Sequence, residues 1–297
     1  MADLNRLTYQ QDYVIQRLTE KTYWVSVRGY SILFHVGENG VVLFDSPGDG
    51  RSRAILDAIA SVTEWPVTTL IYSHSHLDHI GGAKTIARHA RDRGRDLEIV
   101  ATSKVIEEIG RFSLDVPAPT LVASVPEDRL SLQGLDIRIH TPEAYAHRPD
   151  TSLYYLPEER VIQAVDLITP GQLPYFSFNW AMDPKAFRDN LELMRSLDWD
   201  FLDAGHGNVG NRSDIRLSLD YYDDLANAIR TASKTVDKGE FYGPGFHPYE
   251  SYRNFMAALA DKVYEKMKDK YGRYGGLREI INGHVEMLRI QQVLHGQ

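Results

Sequence analysis

The 297-residue chain is long enough to bury a full core, and at about one domain per ~150 residues it suits one large domain or two unequal ones. Its 41 acidic and 33 basic residues leave a net charge of −8 with no Lys/Arg block, which removes most of the electrostatic drive for tracking a phosphate backbone and speaks against nucleic acid as a partner. It contains no cysteine, so any metal has to be held by imidazole nitrogen and carboxylate oxygen. The start, Met1 to Arg6, lacks a basic stretch followed by an apolar core, and no segment approaches the ~20 apolar residues of a membrane span, so a cytoplasmic protein without a membrane partner is expected.

From Val14 to Asp45, short apolar runs alternate with Gly and Asn turns, the pattern of an antiparallel strand series. Ile55, Leu56, Ile59 and Val62 then recur at helical spacing in 53–62. A strand over 67–72, a helix over 82–93 and a strand over 98–101 follow. A second strand series takes in 135–139, 152–156 and 160–165, with Pro157-Glu158-Glu159 as a turn. A helix over 184–197 and a strand over 201–204 close the pattern. Beyond Gly210, apolar residues recur at helical intervals in three stretches, which predicts a helical tail over 211–297 appended to a mixed α/β domain over 1–210. The 239–249 connection, with Gly243-Pro244-Gly245 amid Phe241, Tyr242, Phe246 and Tyr249, reads either as a lid over a pocket or as a helix link pinned by its own aromatics.

Directly after the 67–72 strand the chain reads His74-Ser75-His76-Leu77-Asp78-His79, three imidazoles and a carboxylate in six positions. That density calls for a metal. Alternate side chains at a strand end project to one side, so His74 and His76 can grip one ion while the next turn carries Asp78 and His79 toward a second. More ligand types recur at later strand ends: His147 before the strand beginning at Ser152, Asp166 after Val165, and His206 after Ala204. Loops at strand termini are where α/β scaffolds build their sites.

The His74 to His79 run resembles the signature of the metallo-β-lactamase superfamily. The resemblance implies an α/β αββα sandwich with an added C-terminal helical region. It places His74, His76 and His147 on a first cation, Asp78, His79 and His206 on a second, and Asp166 between them. The third family motif usually runs His-Thr-Pro-Gly-His; here His140-Thr141-Pro142 is separated from His147, which keeps the family's order, and His140 reads as a structural residue. Asp45 resembles the early family Asp that props the metal loop. His35, His89, His247, His284 and His295 stand alone and read as ordinary surface or core histidines, so replacing His284 is expected to leave metal content and turnover near wild type.

The implied chemistry is hydrolysis by a hydroxide shared between two divalent cations, zinc best suiting these ligands and manganese, iron or cobalt also accepted. Asp78 is the candidate proton carrier from nucleophile to leaving group. After Asp166 the segment 170–180, rich in Pro, Gly and aromatics, either lines an apolar pocket for a small uncharged substrate or packs onto the sandwich; Tyr175 or Tyr145 would polarise a carbonyl there. A lactone or carboxylic ester is the expected small-molecule substrate. A β-lactam, phosphotriester, thioester or aryl halide would serve the same nucleophile, and a metal-binding module without turnover is the non-enzymatic alternative. The C-terminal helices are expected to cover the pocket, to pair two copies as a homodimer, or both.

Overall fold

The computed structural model describes residues 10–142, 146–245 and 247–296. Tyr145, Phe246 and the stretch Met1 to Arg6 lie outside the described residues.

Two sheets pack face to face. The first runs in spatial order β1 (Val14–Arg17), β2 (Thr22–Val27), β3 (Tyr30–Val36), β4 (Val41–Phe44), β5 (Val67–Ile71), β6 (Glu98–Thr102) and β7 (Leu121–Ala123). Its first four strands are antiparallel neighbours, and from β4 to β7 the pairing is parallel, with helices α1 (Arg51–Ala60), α2 (Leu77–Ile80), α3 (Ala83–Asp92) and α4 (Ser103–Arg111) in the connections. The second sheet has the order β12 (Phe201–Asp203), β11 (Val161–Gln163), β10 (Leu153–Leu156), β9 (Leu135–His140) and β8 (Glu127–Leu132).

Strand alternation explains the layering. Along β3, Ile32 and Phe34 face Ile55, Leu56, Ile59 and Ile86 of the helices, while Leu33 faces inward with Trp24, Val42 and Phe44. Along β10, Tyr154 and Leu156 join Leu33 and Phe44 between the sheets, whereas Leu153 and Tyr155 face the opposite way, toward the C-terminal helices. Three apolar layers therefore separate helix, sheet, sheet and helix, the αββα sandwich expected from the sequence. At roughly 1.5–3 kcal/mol per buried large apolar side chain, the two sheets are held by burial more than by any polar contact.

Helices α5 (Pro184–Ser196), α6 (Arg212–Ala232), α7 (Pro248–Tyr271) and α8 (Leu277–His295) cover the outer face of the second sheet. Asn211 caps α6 through Ser213 N and forms a reciprocal box with Asp214, and Asp183 with Pro184 starts α5. Leu225, Ile229, Leu259, Val263, Ile281 and Val285 share one apolar cluster with Leu153, Ile162 and Leu202. The segment after 210 thus packs as a helical layer on the second sheet.

Helix α4 and strands β7 and β8 have no counterpart among the sequence expectations. In β8 only Leu132 is buried, so its polar sequence carries little strand signal, and pairing with β9 along its whole length holds it in the sheet. The 239–249 connection packs Phe241 and Tyr242 against Phe255, and together with Lys238 borders a groove of about 560 Å³ between α7 and α8. None of its described residues lines the cavity at the strand ends, which favours the helix-link reading over a lid.

Candidate metal centre

The four sequence segments that carry His and Asp meet at one edge of the sandwich. The loop after β5 places His74 on a fully buried position, and His76 ends that loop as the residue before α2. One turn of α2 carries Asp78 and His79, closed by the backbone bond from Gly81 N to Leu77 O. Gly82 follows where a Cβ would lie 1.9 Å from Ser52 Oγ, so only glycine lets α2 sit against the Ser46–Ser52 segment. Asp166, in the left-handed region at φ 62° that Asp tolerates better than most residues, turns its carboxylate back over the site. His206 follows Gly205, whose φ of 75° and lack of space beside Val165 and His79 both demand glycine.

Asp166 is the hub. Its Oδ2 lies 3.2 Å from His79 Nε2, 3.3 Å from His147 Nε2 and 3.5 Å from His74 Nε2, and its Oδ1 lies 3.3 Å from His206 Nε2. His147 Nε2 is 3.3 Å from His76 Nδ1, and Asp78 Oδ2 is 3.7 Å from His79 Nε2. Two groups result, His74, His76, His147 and Asp166 in one and Asp78, His79 and His206 in the other, with all potential ligand atoms of each group within 4.8 Å of one another.

Hydrogen bonds outside the cluster decide which nitrogen faces in. Ser73 Oγ is 2.9 Å from His74 Nδ1, Gly29 O is 3.3 Å from His206 Nδ1, and Asn179 O accepts from His147 Nδ1 at 2.7 Å, leaving each Nε2 lone pair turned inward. The loop itself is pinned by Asp45 Oδ1, which accepts from Ser73 N at 2.8 Å, and by Asp150 Oδ2, which accepts from Ser75 N at 2.7 Å. Asp45 thus has the propping position expected of it, and Asp150 adds a second prop.

The residues fit divalent cations. The buried atoms His74 Nε2 and His79 Nε2 have no hydrogen-bond partner and point into the cluster, an arrangement that costs stability unless something accepts their lone pairs. Burial, with the neighbouring His79 adding to it, holds His74 well below the ordinary imidazole range, and burial beside His147 takes His76 down to about 4. Burial opposes ionisation of Asp166, but the surrounding imidazoles, His79 foremost, hold it well below the usual carboxylate range. Burial likewise lowers His79, and the Asp166 charge outweighs it and pushes that imidazole up to about 9. His74 and His76 are thus held neutral beside an ionised carboxylate, the state a cation needs, while His79 would give up its proton on binding one.

The cluster opens on a cavity of about 590 Å³ bordered by Tyr30, Ile168, Thr169, Gln172, Tyr175 and Trp180, with His76, Asp78, His147, Asp166 and His206 on its floor. Among the described residues that line it there is no lysine or arginine.

A family model described as "Metallo-beta-lactamase superfamily" matches residues 26–254, which takes in the first sheet from β3 onward, the whole second sheet, every member of the cluster and α6. The chain belongs to the metallo-β-lactamase superfamily. This is the membership that the sequence signature implied. Among curated relatives, 2,4-dinitroanisole O-demethylase subunit alpha of Nocardioides sp. is 29% identical over 246 residues, covering 80% of this chain and 66% of that one, so the chain spans just under two thirds of that relative. A metallo-β-lactamase from Pontibacter korlensis superposes with a TM-score of 0.59 at 17% identity, over 70% of this chain and 97% of that one. A double mutant of the sec-alkyl sulfatase PisA1 superposes with a TM-score of 0.61 at 18% identity, over 90% of this chain and 52% of that one. These two structural likenesses speak for the fold alone.

Within this metallo-β-lactamase fold the structure also sorts the remaining candidates. His140 lies 3.5 Å from Glu127 at the sheet edge and outside both groups, as expected of a structural residue. His35 bonds Thr22 in the sheet. Tyr175 reaches the cavity rim and is half exposed, with its ring against Trp180. The loop splits the two readings made of it. Tyr175 and Trp180 line the cavity, while Phe178 turns away, fully buried against Phe187, Tyr222 and His284. Ser177, Phe178, Asn179 and Trp180 all have φ between 51° and 59°, a left-handed turn of L-residues that costs roughly 1–2 kcal/mol for each. Such backbone persists only where its surroundings over-determine it.

Tyr30 is a site residue that the sequence did not single out. The hairpin turn Arg28-Gly29 has φ of 51° and 84°, as a type I′ turn requires, and delivers Tyr30 beside the cluster. Its ring lies 4.5 Å from that of His206, the Arg51 guanidinium stands 4.2 Å over it, and its phenol feels the nearby Asp78 carboxylate. Burial and the charge of Asp78 push that phenol above its ordinary range. An aromatic residue after a Gly turn was the sole signal, and it is shared by many hairpins.

Proposed function

We propose that the chain is a dinuclear hydrolase in which His74, His76 and His147 hold one divalent cation, Asp78, His79 and His206 hold the second, and Asp166 bridges them. Its proposed substrate is a small uncharged molecule with an ester-like bond, a lactone or a carboxylic ester. The observation that carries this reading is the pairing of the His/Asp cluster with a cavity that offers aromatic and amide surface and no fixed cation. An anionic sulfate ester or a β-lactam carboxylate would find no guanidinium or ammonium among those walls. Zinc suits the imidazole and carboxylate set best, and manganese, iron or cobalt would be accepted.

When bound, the cation pair supplies hydroxide near neutral pH and stabilises the oxyanion that forms on attack. The chain's own residues do the rest. Asp78, with its carboxylate half exposed at the cavity floor, is placed to take the proton of the attacking water and to deliver it to the departing oxygen. Tyr30, held against Asp78, is the better placed of the two cavity phenols to donate to the substrate or leaving oxygen; Tyr175 shapes the rim with Trp180. The ring faces of Tyr30, Tyr175 and Trp180 favour a flat substrate.

A second reading is favoured by the 29% identity to a subunit named for O-demethylation of 2,4-dinitroanisole: cleavage of an activated aryl ether, whose leaving phenolate or alcohol the same site would protonate. The test is a hydrolysis screen of the zinc- and manganese-loaded chain across lactones, aryl esters, activated aryl methyl ethers, alkyl sulfates and β-lactams. Turnover of the uncharged members that is abolished by chelation is expected. Preference for the anionic members, or activity indifferent to chelation, would contradict the reading.

Assembly is part of the same proposal. Ile290, Val293 and Leu294 of α8 are exposed and, with Tyr242 and Tyr252, form the apolar face through which two copies would pair. Sedimentation of the chain as a dimer, shifting to monomer in Leu294→Lys, is expected; a monomer at all concentrations would rule it out.

A further inference from the structure

His284 lies in the C-terminal helix α8, far along the sequence from any member of the cluster, yet it is fully buried and both of its ring nitrogens are engaged. Nε2 is 2.8 Å from the carbonyl oxygen of Tyr175, so it carries the proton, and Nδ1 therefore accepts from the Tyr221 hydroxyl at 2.9 Å. The imidazole also stacks on Phe178 at 4.2 Å with 17° between the planes. Two of these contacts, with Tyr175 and Phe178, fall on or next to the left-handed turn Ser177–Trp180, and the third, with Tyr221 of α6, backs the imidazole from the other side.

That turn touches a proposed ligand. The carbonyl of Asn179 accepts from His147 Nδ1 at 2.7 Å, and the side-chain oxygen of the same Asn179 accepts from Tyr175 N at 2.6 Å. Asn179 N in turn donates to Tyr175 O at 3.2 Å, the oxygen that His284 holds. A continuous path thus runs from Tyr221 through His284 and Tyr175 to Asn179 and His147. Left-handed backbone has no stability of its own for residues such as Ser, Phe and Trp, so the position of the Asn179 carbonyl depends on the contacts that trap the turn. Removing the donor on α8 frees the turn to relax toward ordinary backbone, and His147 then loses the acceptor that fixes its tautomer and ring plane.

We infer that His284 is a positioning residue through which the C-terminal helix sets the orientation of His147, and that occupancy of the cation group His74, His76, His147 and Asp166 depends on it. This rests on the ligand reading proposed above and goes beyond it, because it makes the helical segment part of the metal centre. It also reverses the sequence-based expectation that His284 is dispensable. The other group, Asp78, His79 and His206, draws its orienting contacts from β3, α2 and the loop after β12, so it should not feel the change.

The experiment is chelator-competition titration of Zn²⁺, and the visible spectrum with Co²⁺, on full-length wild type, His284→Leu, His284→Gln and His76→Ala. In His284→Leu one of the two cation equivalents should weaken by about 10–100-fold, the usual effect of losing a ligand's orienting partner, while the other stays within about threefold. His284→Gln, which keeps an N–H near the position of Nε2, should recover most of that loss, a rescue that mere packing damage would not give. Should His284→Leu fail to fold, Tyr221→Phe removes only the hydroxyl behind His284 and should weaken the same single equivalent to a smaller degree. Both equivalents unchanged in the folded variant, or both weakened alike, overturns the positioning role. Failure of the ligand reading is separate: wild type that binds no cation, or His76→Ala that binds as wild type does, would remove that reading whatever His284 does.

Discussion

His147 and His140 compete in sequence for one role, and their hydrogen bonds separate them. His147 turns its Nε2 toward Asp166 with Nδ1 tied to Asn179, whereas His140 faces Glu127 at the edge of the second sheet. His147→Ala should lose one of two bound cations and nearly all turnover, and His140→Ala should keep both; metal analysis after gel filtration reads the difference. Tyr30→Phe removes the phenol beside Asp78 and is expected to lower kcat on the order of 10²-fold with metal content unchanged, a larger loss than Tyr175→Phe. His284 supplies a pH prediction with a definite sign. Burial lowers its imidazole to about 4, below the unfolded value of about 6.5, so its stabilising contribution is complete above pH 6.5 and is lost as pH falls through 6.5 toward 4. The shift is equivalent to about 3 kcal/mol, and denaturant midpoints measured from pH 7 to pH 4 should fall more steeply for wild type than for His284→Gln. An equally steep fall in both would contradict it. The ligand types themselves were legible in sequence because strand-end His and Asp are rare and spaced by geometry. Tyr30, Asp150 and His284 were not, since each acts through a partner distant in sequence: Asp78, Ser75 and Tyr175.

The element that departs most from sequence expectation is the Ser177–Trp180 turn. A run of Ser, Phe, Asn and Trp gives no sign of left-handed backbone, because only Asn among them tolerates it and the trap is supplied by α8. Glycine at Ser177, where φ is 51°, should relieve local strain; the gain of roughly 1–2 kcal/mol is offset by about 0.4–1 kcal/mol of extra freedom in the unfolded chain. Ser177→Gly is therefore expected to leave the melting temperature equal to or slightly above wild type, where the same change in an ordinary helix would lower it, and a drop of several degrees would contradict the strain assignment. Long elements with clear periodicity, β2, β3, β5, α5 and the three C-terminal helices, follow the sequence closely. Those held by neighbours alone, β7 and the polar β8, do not.

On the scale of the whole molecule, residues after 210 complete a core that the second sheet cannot close by itself. Leu153, Tyr155 and Ile162 would face water without Leu225, Leu259 and Ile281. Truncation at Gly210 should give aggregated protein, and intact chain should unfold in one transition by circular dichroism; two separate transitions would show independent units. No helix among the described residues is long and apolar enough to cross a membrane. The central claim is that side chains gathered from both halves of the sandwich cage two cations around Asp166. Its most direct test is the number of zinc ions retained per chain by wild type and by Asp166→Ala. Two in the wild type and a loss at both sites in the variant are predicted. An Asp166→Ala protein that keeps two tightly bound ions would contradict the account.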